Sequence, residues 1–244
     1  MEKAYKILAN QEGISNKKAK ELIDAKLVYV GDKNIKIARA LMSEDTKFRV
    51  ERVKDIDIIH EDENLIAVNK PALIDSYRVA DNFFETKLIH RLDRETSGVM
   101  LLSKREEFRQ KAIDEFKARR VKKIYLAWVD GIFFEEIVIN NPISTFKRCG
   151  KLFSKIDRKK GKEAITIVRP ILIQGKKSKV EIEIETGRTH QIRVHLSSIG
   201  YPIIGDELYG SPTKSKRLLL HAESISILNY NLKAKEPKDI LKYK

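Results

Sequence analysis

Residues 179–185, KVEIEIE, alternate without a break. Val180, Ile182 and Ile184 fall on one side, and Glu181, Glu183 and Glu185 on the other. A two-residue period fits a strand with one face in a core and the other in water, and it fits no helix. LVYV (27–30), KFRV (47–50), KKIYLAWV (122–129) and the two halves of DIDIIHEDENLIAVNKP (55–71) also read as strands, set off by turns such as GDKN (31–34). Helices are few. Ser15 can cap one over 16–26, with Ala19, Leu22 and Ile23 on one side. Residues 103–120 carry Phe108, Ala112 and Phe116 at i, i+4 spacing. HQIRVHLSSIG (190–200) buries Ile192, Leu196 and Ile199 and stops at Gly200. No βαβ rhythm joins the strands. The fold class expected is therefore α+β, a mixed and mostly antiparallel sheet with flanking helices.

A chain of 244 residues that is 42% hydrophobic can bury a sizeable core. Residues 1–50 read as a small α+β module with 11 Lys or Arg against 7 acids, and 51–244 as a larger domain. The formal charge of +14 points to a polyanionic partner. The excess is concentrated in 147–179, where 12 Lys or Arg face 2 acids. These are read as basic, solvent-facing loops around the strands AITIV and ILI, with Lys159, Lys160 and Lys162 as candidate phosphate contacts. Lys17, Lys18 and Lys20 form a second candidate group near one end of the first helix. The bland alternative for both groups is a solvated lysine-rich surface. The single cysteine, Cys149, excludes an intramolecular disulfide, and no Cys/His spacing suggests a metal site. The charged N-terminus does not read as a signal peptide, and no apolar run approaches a membrane span. The expectation is a cytoplasmic monomer with no membrane partner.

Residues 90–104, HRLDRETSGVMLLSK, place Asp93 between Arg91 and Arg94, ahead of a small polar turn and an apolar run. An acid flanked this closely by cations is either a salt-bridge anchor or an ion held ready for chemistry. Three stretches in order, NLIAVNKP (64–71), this segment, and TGRTHQIRVHLSSIGYPIIGDELYG (186–210), strongly resemble the RluA-type family of RNA pseudouridine synthases. KKIYLAWVDG (122–131) and RLLLHA (217–222) match further segments of that family. GISNKKAKELIDAKLVYVGDK (13–33) resembles, more loosely, a small RNA-binding module named after a small-subunit ribosomal protein.

The resemblance implies that Asp93 is the catalytic aspartate of a reaction that turns a uridine in RNA into pseudouridine. The N1–C1′ bond breaks and C5 bonds to C1′, so the reaction implies no redox cofactor, metal or nucleotide. Arg193 matches the arginine that pairs with the aspartate, and Tyr125 the tyrosine that lies against the target base. Arg91 matches the position that fills the space left by the extruded nucleotide. Leu220 is placed under the base, with plain core packing as its rival. His190 and His195 read as structural. Residues 72–87, ALIDSYRVADNFFETK, depart from the family's glycine-containing, valine-histidine-proline stretch, so substrate choice is expected to differ. Ribosomal RNA is favoured over transfer RNA as the partner, because the added N-terminal module is more typical of such members. A non-catalytic RNA-binding protein is the competing class. Removal of residues 1–52 is expected to weaken RNA binding and to leave the chemistry intact.

Overall fold

A computed structural model describes residues 1–24, 26–51, 56–148 and 151–243. The chain forms two compact units, Met1–Asp55 with Tyr77–Thr86, and Ile56–Ser76 with Lys87–Lys244. The first therefore contains a segment that the sequence reading placed in the larger domain. The expected boundary abuts residues 52–55, which lie outside the described ones.

The first unit runs β1 (Glu2–Lys3), α1 (Ala4–Glu12), α2 (Asn16–Asp24), β2 (Val28–Val30), β3 (Lys33–Asn34), β4 (Leu41–Met42) and β5 (Arg49–Val50). Helix α1 was not anticipated from sequence. Its buried residues Ala4, Ile7 and Leu8 follow helical spacing, and Gly13 ends it at φ 66° with its N–H on the carbonyl of Ala9. Helix α2 starts as expected, with the Lys18 N–H donating to Ser15 Oγ at 3.2 Å. It stops before Lys26, whose φ is 61°. Leu8, Leu22, Ile23, Val28 and Phe48 form the core, and Phe84, from the inserted segment, packs against it.

The second unit holds β6 (Asp57–Glu61), β7 (Leu65–Lys70), β8 (Lys87–Leu88), β9 (Ser97–Ser103), β10 (Lys122–Asp130), β11 (Ile137–Asn140), β12 (Ile143–Arg148), β13 (Lys151–Ile156), β14 (Ile165–Gln174), β15 (Lys177–Ile184), β16 (Leu220–Ile227) and β17 (Tyr230–Lys233). Helix α3 (Ser76–Ala80) spans the division between the units. Helices α4 (Glu106–Lys117), α5 (Gln191–Ser198) and α6 (Lys238–Leu241) complete it, with a 3₁₀ turn at Glu207–Tyr209. Ten strands make one sheet in the order β11-β14-β15-β10-β16-β9-β7-β6, with β17 on β16 and β8 on β9. Every pair in it is antiparallel except β9 with β16. The mixed α+β class read from sequence is the class observed.

KVEIEIE lies as its period demands. Val180, Ile182 and Ile184 are buried with Ile192 and Leu196 of α5, while Glu181 and Glu183 meet Arg169 of β14 at 3.5 and 3.2 Å. AITIV and ILI are one strand, β14, whose register shifts between Pro170 and Leu172, where proline has no N–H to give the ladder. The basic stretch expected as loops is in part a two-stranded ribbon, β12 with β13, on which Phe146 stacks on Phe153 at 5.8 Å between centroids. Cys149 lies outside the described residues. At the parallel junction Gly98 has φ 120°, and a Cβ there would sit 2.1 Å from the carbonyl oxygen of Ala222. Only glycine lets β9 and β16 approach this closely. Among the described residues no helix is long and apolar enough to cross a membrane.

Candidate active site

The loop 90–96 feeds directly into β9, and it is pinned from behind. Lys70, at the end of β7, is fully buried. Its ammonium donates to the carbonyls of Pro71 (2.9 Å), Ile74 (2.7 Å) and Arg94 (3.3 Å). Burial lowers its pKa to about 8, against the opposing pull of Asp75 and Asp93, so it remains a cation at neutral pH. Ser76 Oγ donates to the Leu92 carbonyl at 2.8 Å and accepts the Leu92 N–H at 3.0 Å. The Thr96 N–H closes a turn on the Asp93 carbonyl at 3.1 Å. Asp93 is thus held on a loop fastened on either side of it.

The sheet order brings the other candidates to this loop. β10 lies between β15 and β16, so Tyr125 stands opposite Ile182 on one side and Ala222 on the other, and Leu220 stands opposite Ala127. Asp93, Tyr125, Arg193, Leu220 and Arg91 all line one cleft of about 100 Å³, with Ile184, Arg188 and His190. Leu220 lines the cleft and, at 3% exposed, also packs into the core. Burial, and then the charge of Asp93, push the phenol of Tyr125 upward, which keeps it neutral at physiological pH.

Arg193 is not the direct partner of Asp93 that the resemblance implied. It is 5% exposed, and its Nε and Nη2 donate to the two carboxylate oxygens of Asp206 at 2.8 and 2.7 Å. Nη1 faces Glu95 Oε2 at 3.9 Å. Asp206 lies thirteen residues along from Arg193, 1% exposed, where the chain turns before the 3₁₀ helix. It engages the guanidinium in bidentate geometry; burial, the largest influence, works against the charge, but Asp206 and then Asp93, a longer-range charge, raise the arginine's pKa.

His190, read from sequence as structural, faces the site. Its Nε2 is 4.0 Å from Asp93 Oδ2, and its Nδ1 is 2.8 Å from the hydroxyl of Tyr209. That hydroxyl accepts the Ser154 N–H at 3.0 Å, so it can donate its own proton to Nδ1. The tautomer this selects carries a proton on Nε2, toward Asp93. Burial, the largest influence, lowers the pKa of His190, with Asp93 opposing and Arg193 assisting. His195 is structural as expected, joined to Thr166 Oγ1 at 2.8 Å and the Asn141 carbonyl at 2.9 Å. Asp206 and Tyr209 were missed as site residues. Their signal was an acid and a phenol three apart after the apolar PII run of 202–204, where Asp206 also accepts the Tyr209 N–H.

The distal lysines do not join the cleft. Lys159, Lys160 and Lys162 are exposed on the segment after β13, where Asp157 Oδ1 accepts the N–H groups of Lys159 and Lys160. In the first unit Lys18 is paired with Asp81 at 2.6 Å, and Lys20 sits over the ring of Tyr5 at 4.3 Å. Of the lysine trio read there as available to phosphates, two are therefore already engaged.

The model of the RNA pseudouridylate synthase family matches residues 64–198. An uncharacterized RNA pseudouridine synthase of Helicobacter pylori is 53% identical over 241 residues, 98% of this chain and 99% of that protein. Ribosomal large subunit pseudouridine synthase D of Borreliella burgdorferi is 35% identical over 199 residues, 70% of this chain and 61% of that one. Among solved structures, human RNA pseudouridylate synthase domain containing 1 superposes with a TM-score of 0.64 at 27% identity, over 76% of this chain and 84% of that one.

Proposed function

The chain belongs to the RNA pseudouridine synthase family, and from that premise we propose that it isomerises a uridine of large-subunit ribosomal RNA with Asp93 as the reacting carboxylate. The observation that carries the assignment of Asp93 is that, among the described residues lining the cleft, it is the one carboxylate. In the reaction the N1–C1′ bond breaks and the C5–C1′ bond forms; the proton at C5 leaves and N1 regains one. Asp93 serves beside the sugar as nucleophile or base. Tyr125 offers the detached uracil a neutral aromatic face, with Ile184 and Leu220 as apolar walls. Arg91, exposed at the cleft, fills the stack that the uridine leaves. Arg193 contributes positive potential near Asp93 while Asp206 fixes its direction. Support for ribosomal RNA comes from the name of the Borreliella burgdorferi relative.

The test is Asp93→Asn, which removes the charge and keeps the shape. Purified wild type and variant are incubated with extracted RNA, and pseudouridine is mapped at single sites. The variant is expected to form none, with RNA affinity within a few fold, because phosphate contacts supply most of the binding. Turnover near wild type would remove Asp93 from the chemistry. Wild-type product confined to transfer RNA would move the substrate, and no wild-type product in any RNA would favour a pure binding protein.

A further inference from the structure

Arg91, Tyr125, Ile184, Gly187 and Arg188 line the catalytic cleft and also a second, larger recess of about 510 Å³. The rest of that recess is built from the C-terminal half of α4, the start of β10, residues 89–90 and the segment just after β15. Phe116 and His90 contribute paired rings, 5.4 Å between centroids. Its charged lining is Arg91, Lys117, Arg119, Lys123 and Arg188 against a single carboxylate, the exposed Glu185.

Lys123 is the unusual member. It is 9% exposed, and among the described residues no carboxylate pairs with it. Its ammonium donates to the Thr186 carbonyl across a long 3.4 Å, and the Phe116 ring lies 5.8 Å away. Three donors with one distant acceptor leave a buried charge under-satisfied. Burial alone accounts for the fall of its pKa to about 8, so it is charged at neutral pH. Beside it His90 is held down to about 4, by burial first and then by the charge of Lys123. The neighbouring arginines are fixed at the rim: Arg119 by Glu163 at 2.5 Å, and Arg188 Nε by the Glu163 carbonyl at 2.9 Å. Lys123 and Tyr125 are two apart on one strand and share a face, about 7 Å from each other along the chain. The cation thus stands one step from the surface assigned to the target base. A volume of this size suits a nucleotide unit.

We propose that this recess is a phosphate subsite in which Lys123 holds the RNA backbone phosphate next to the target uridine. The inference rests on the reading of the cleft as the uridine site. Lys123 is on this account a substrate-positioning residue, which steadies the strand while the base is extruded.

The probe is a fluorescent uridine decanucleotide, titrated with full-length protein at several salt concentrations. Lys123→Met is expected to flatten the slope of log affinity against log salt by about 0.7, one single-strand phosphate contact. Lys123→Arg is expected to keep the wild-type slope. In single-turnover reactions on extracted RNA, Lys123→Met is expected to raise the half-saturating enzyme concentration roughly tenfold, as loss of one charge-assisted contact implies. An unchanged slope in a folded Lys123→Met protein overturns the proposal, as does Lys123→Arg behaving like Lys123→Met. If Lys123→Met does not fold, the wild-type chain decides. The decanucleotide is expected to shield the Lys123 amine from reductive methylation, and equal labelling with and without it overturns the subsite. Slope and labelling need no turnover, so a wild type that makes no pseudouridine would sink the catalytic reading and leave this result separate.

Discussion

Asp206 shows how much one buried carboxylate can govern. It meets the Arg193 guanidinium with both oxygens, and the pair is nearly closed to solvent at 5% and 1% exposure. Removing one partner of such a pair leaves an uncompensated charge, worth about 3–5 kcal/mol. Asp206→Asn is therefore expected to lower stability by roughly that amount. It should also slow single-turnover isomerisation more than about tenfold, because the freed guanidinium can swing toward Glu95 and Asp93. Urea denaturation and rate measurement check both; unaltered stability would show that the pair is dispensable. The histidines make a second prediction. His90 and His221 are held down to about 4, and His190 and His195 are lowered as well, in each case by burial first. In the unfolded chain these rings titrate near 6.5. As pH falls through that value the unfolded state takes up protons that the fold refuses. Stability is thus full above about 6.5 and is lost progressively toward 4, by on the order of 2–3 kcal/mol each for His90 and His221. The urea midpoint is expected to fall between pH 7.5 and 5, and to fall less in His90→Gln. A midpoint independent of pH would contradict the buried neutral rings.

At the scale of elements, the segment that follows β13 carries Lys159, Lys160 and Lys162 away from the cleft. Its turn is held by Asp157, so the lysines sit on a fixed backbone with free ends. Replacing all three with glutamine is expected to flatten the salt dependence of RNA binding by at least about 0.7, with little effect on maximal rate. An unchanged slope would mean a solvated turn and nothing more. What sequence could show at this scale depends on contrast between faces. KVEIEIE was legible because its environment differs from one residue to the next, whereas KKIYLAWV, buried on both faces, was legible from its run of β-branched and aromatic residues; the observed register pairs the two. Helix α1 was not, since lysine, asparagine, glutamine and glutamate break up a stripe of only a few apolar residues. The part of the ribbon β12–β13 that falls in the basic stretch from 147 onward was read as loop, because its lysines hide a pairing that only the partner strand reveals. Asp93, Tyr125, Arg91, Leu220 and Arg193 were all placed at one cleft by their motif segments. The partner of Arg193 was not legible, because two acids of similar chemistry lie within reach and only the fold chooses between them.

For the molecule as a whole, the path of the chain matters more than its net charge. After Ser76 the chain leaves the larger unit, contributes Tyr77–Thr86 to the first unit, and returns at Lys87. Within that first unit Phe84 packs on the core, Asp81 pairs with Lys18 at 2.6 Å, and Arg78 with Glu51 at 3.2 Å. A purely sequential reading makes residues 1–50 a detachable RNA-binding module. The contact pattern alters what its removal should do. A chain that starts at Val53 strands Phe84 without its core, Asp81 without Lys18 and Arg78 without Glu51, so 77–86 is expected to lose its order. Ser76 immediately precedes that stretch, and its hydroxyl holds both backbone groups of Leu92, the residue before Asp93. Loss of order next to Ser76 therefore reaches the catalytic loop through the chain itself. A single-turnover titration of the full-length and shortened proteins on the same RNA separates two effects. Loss of RNA contacts raises the half-saturating concentration; loosening of the loop lowers the maximal rate. Both are expected here, with new proteolytic cleavage within 77–86, and Phe84→Ala in the full-length chain should reproduce part of the fall in rate. A shortened protein with the full maximal rate and an uncut 77–86 would show that this segment orders itself without residues 1–52.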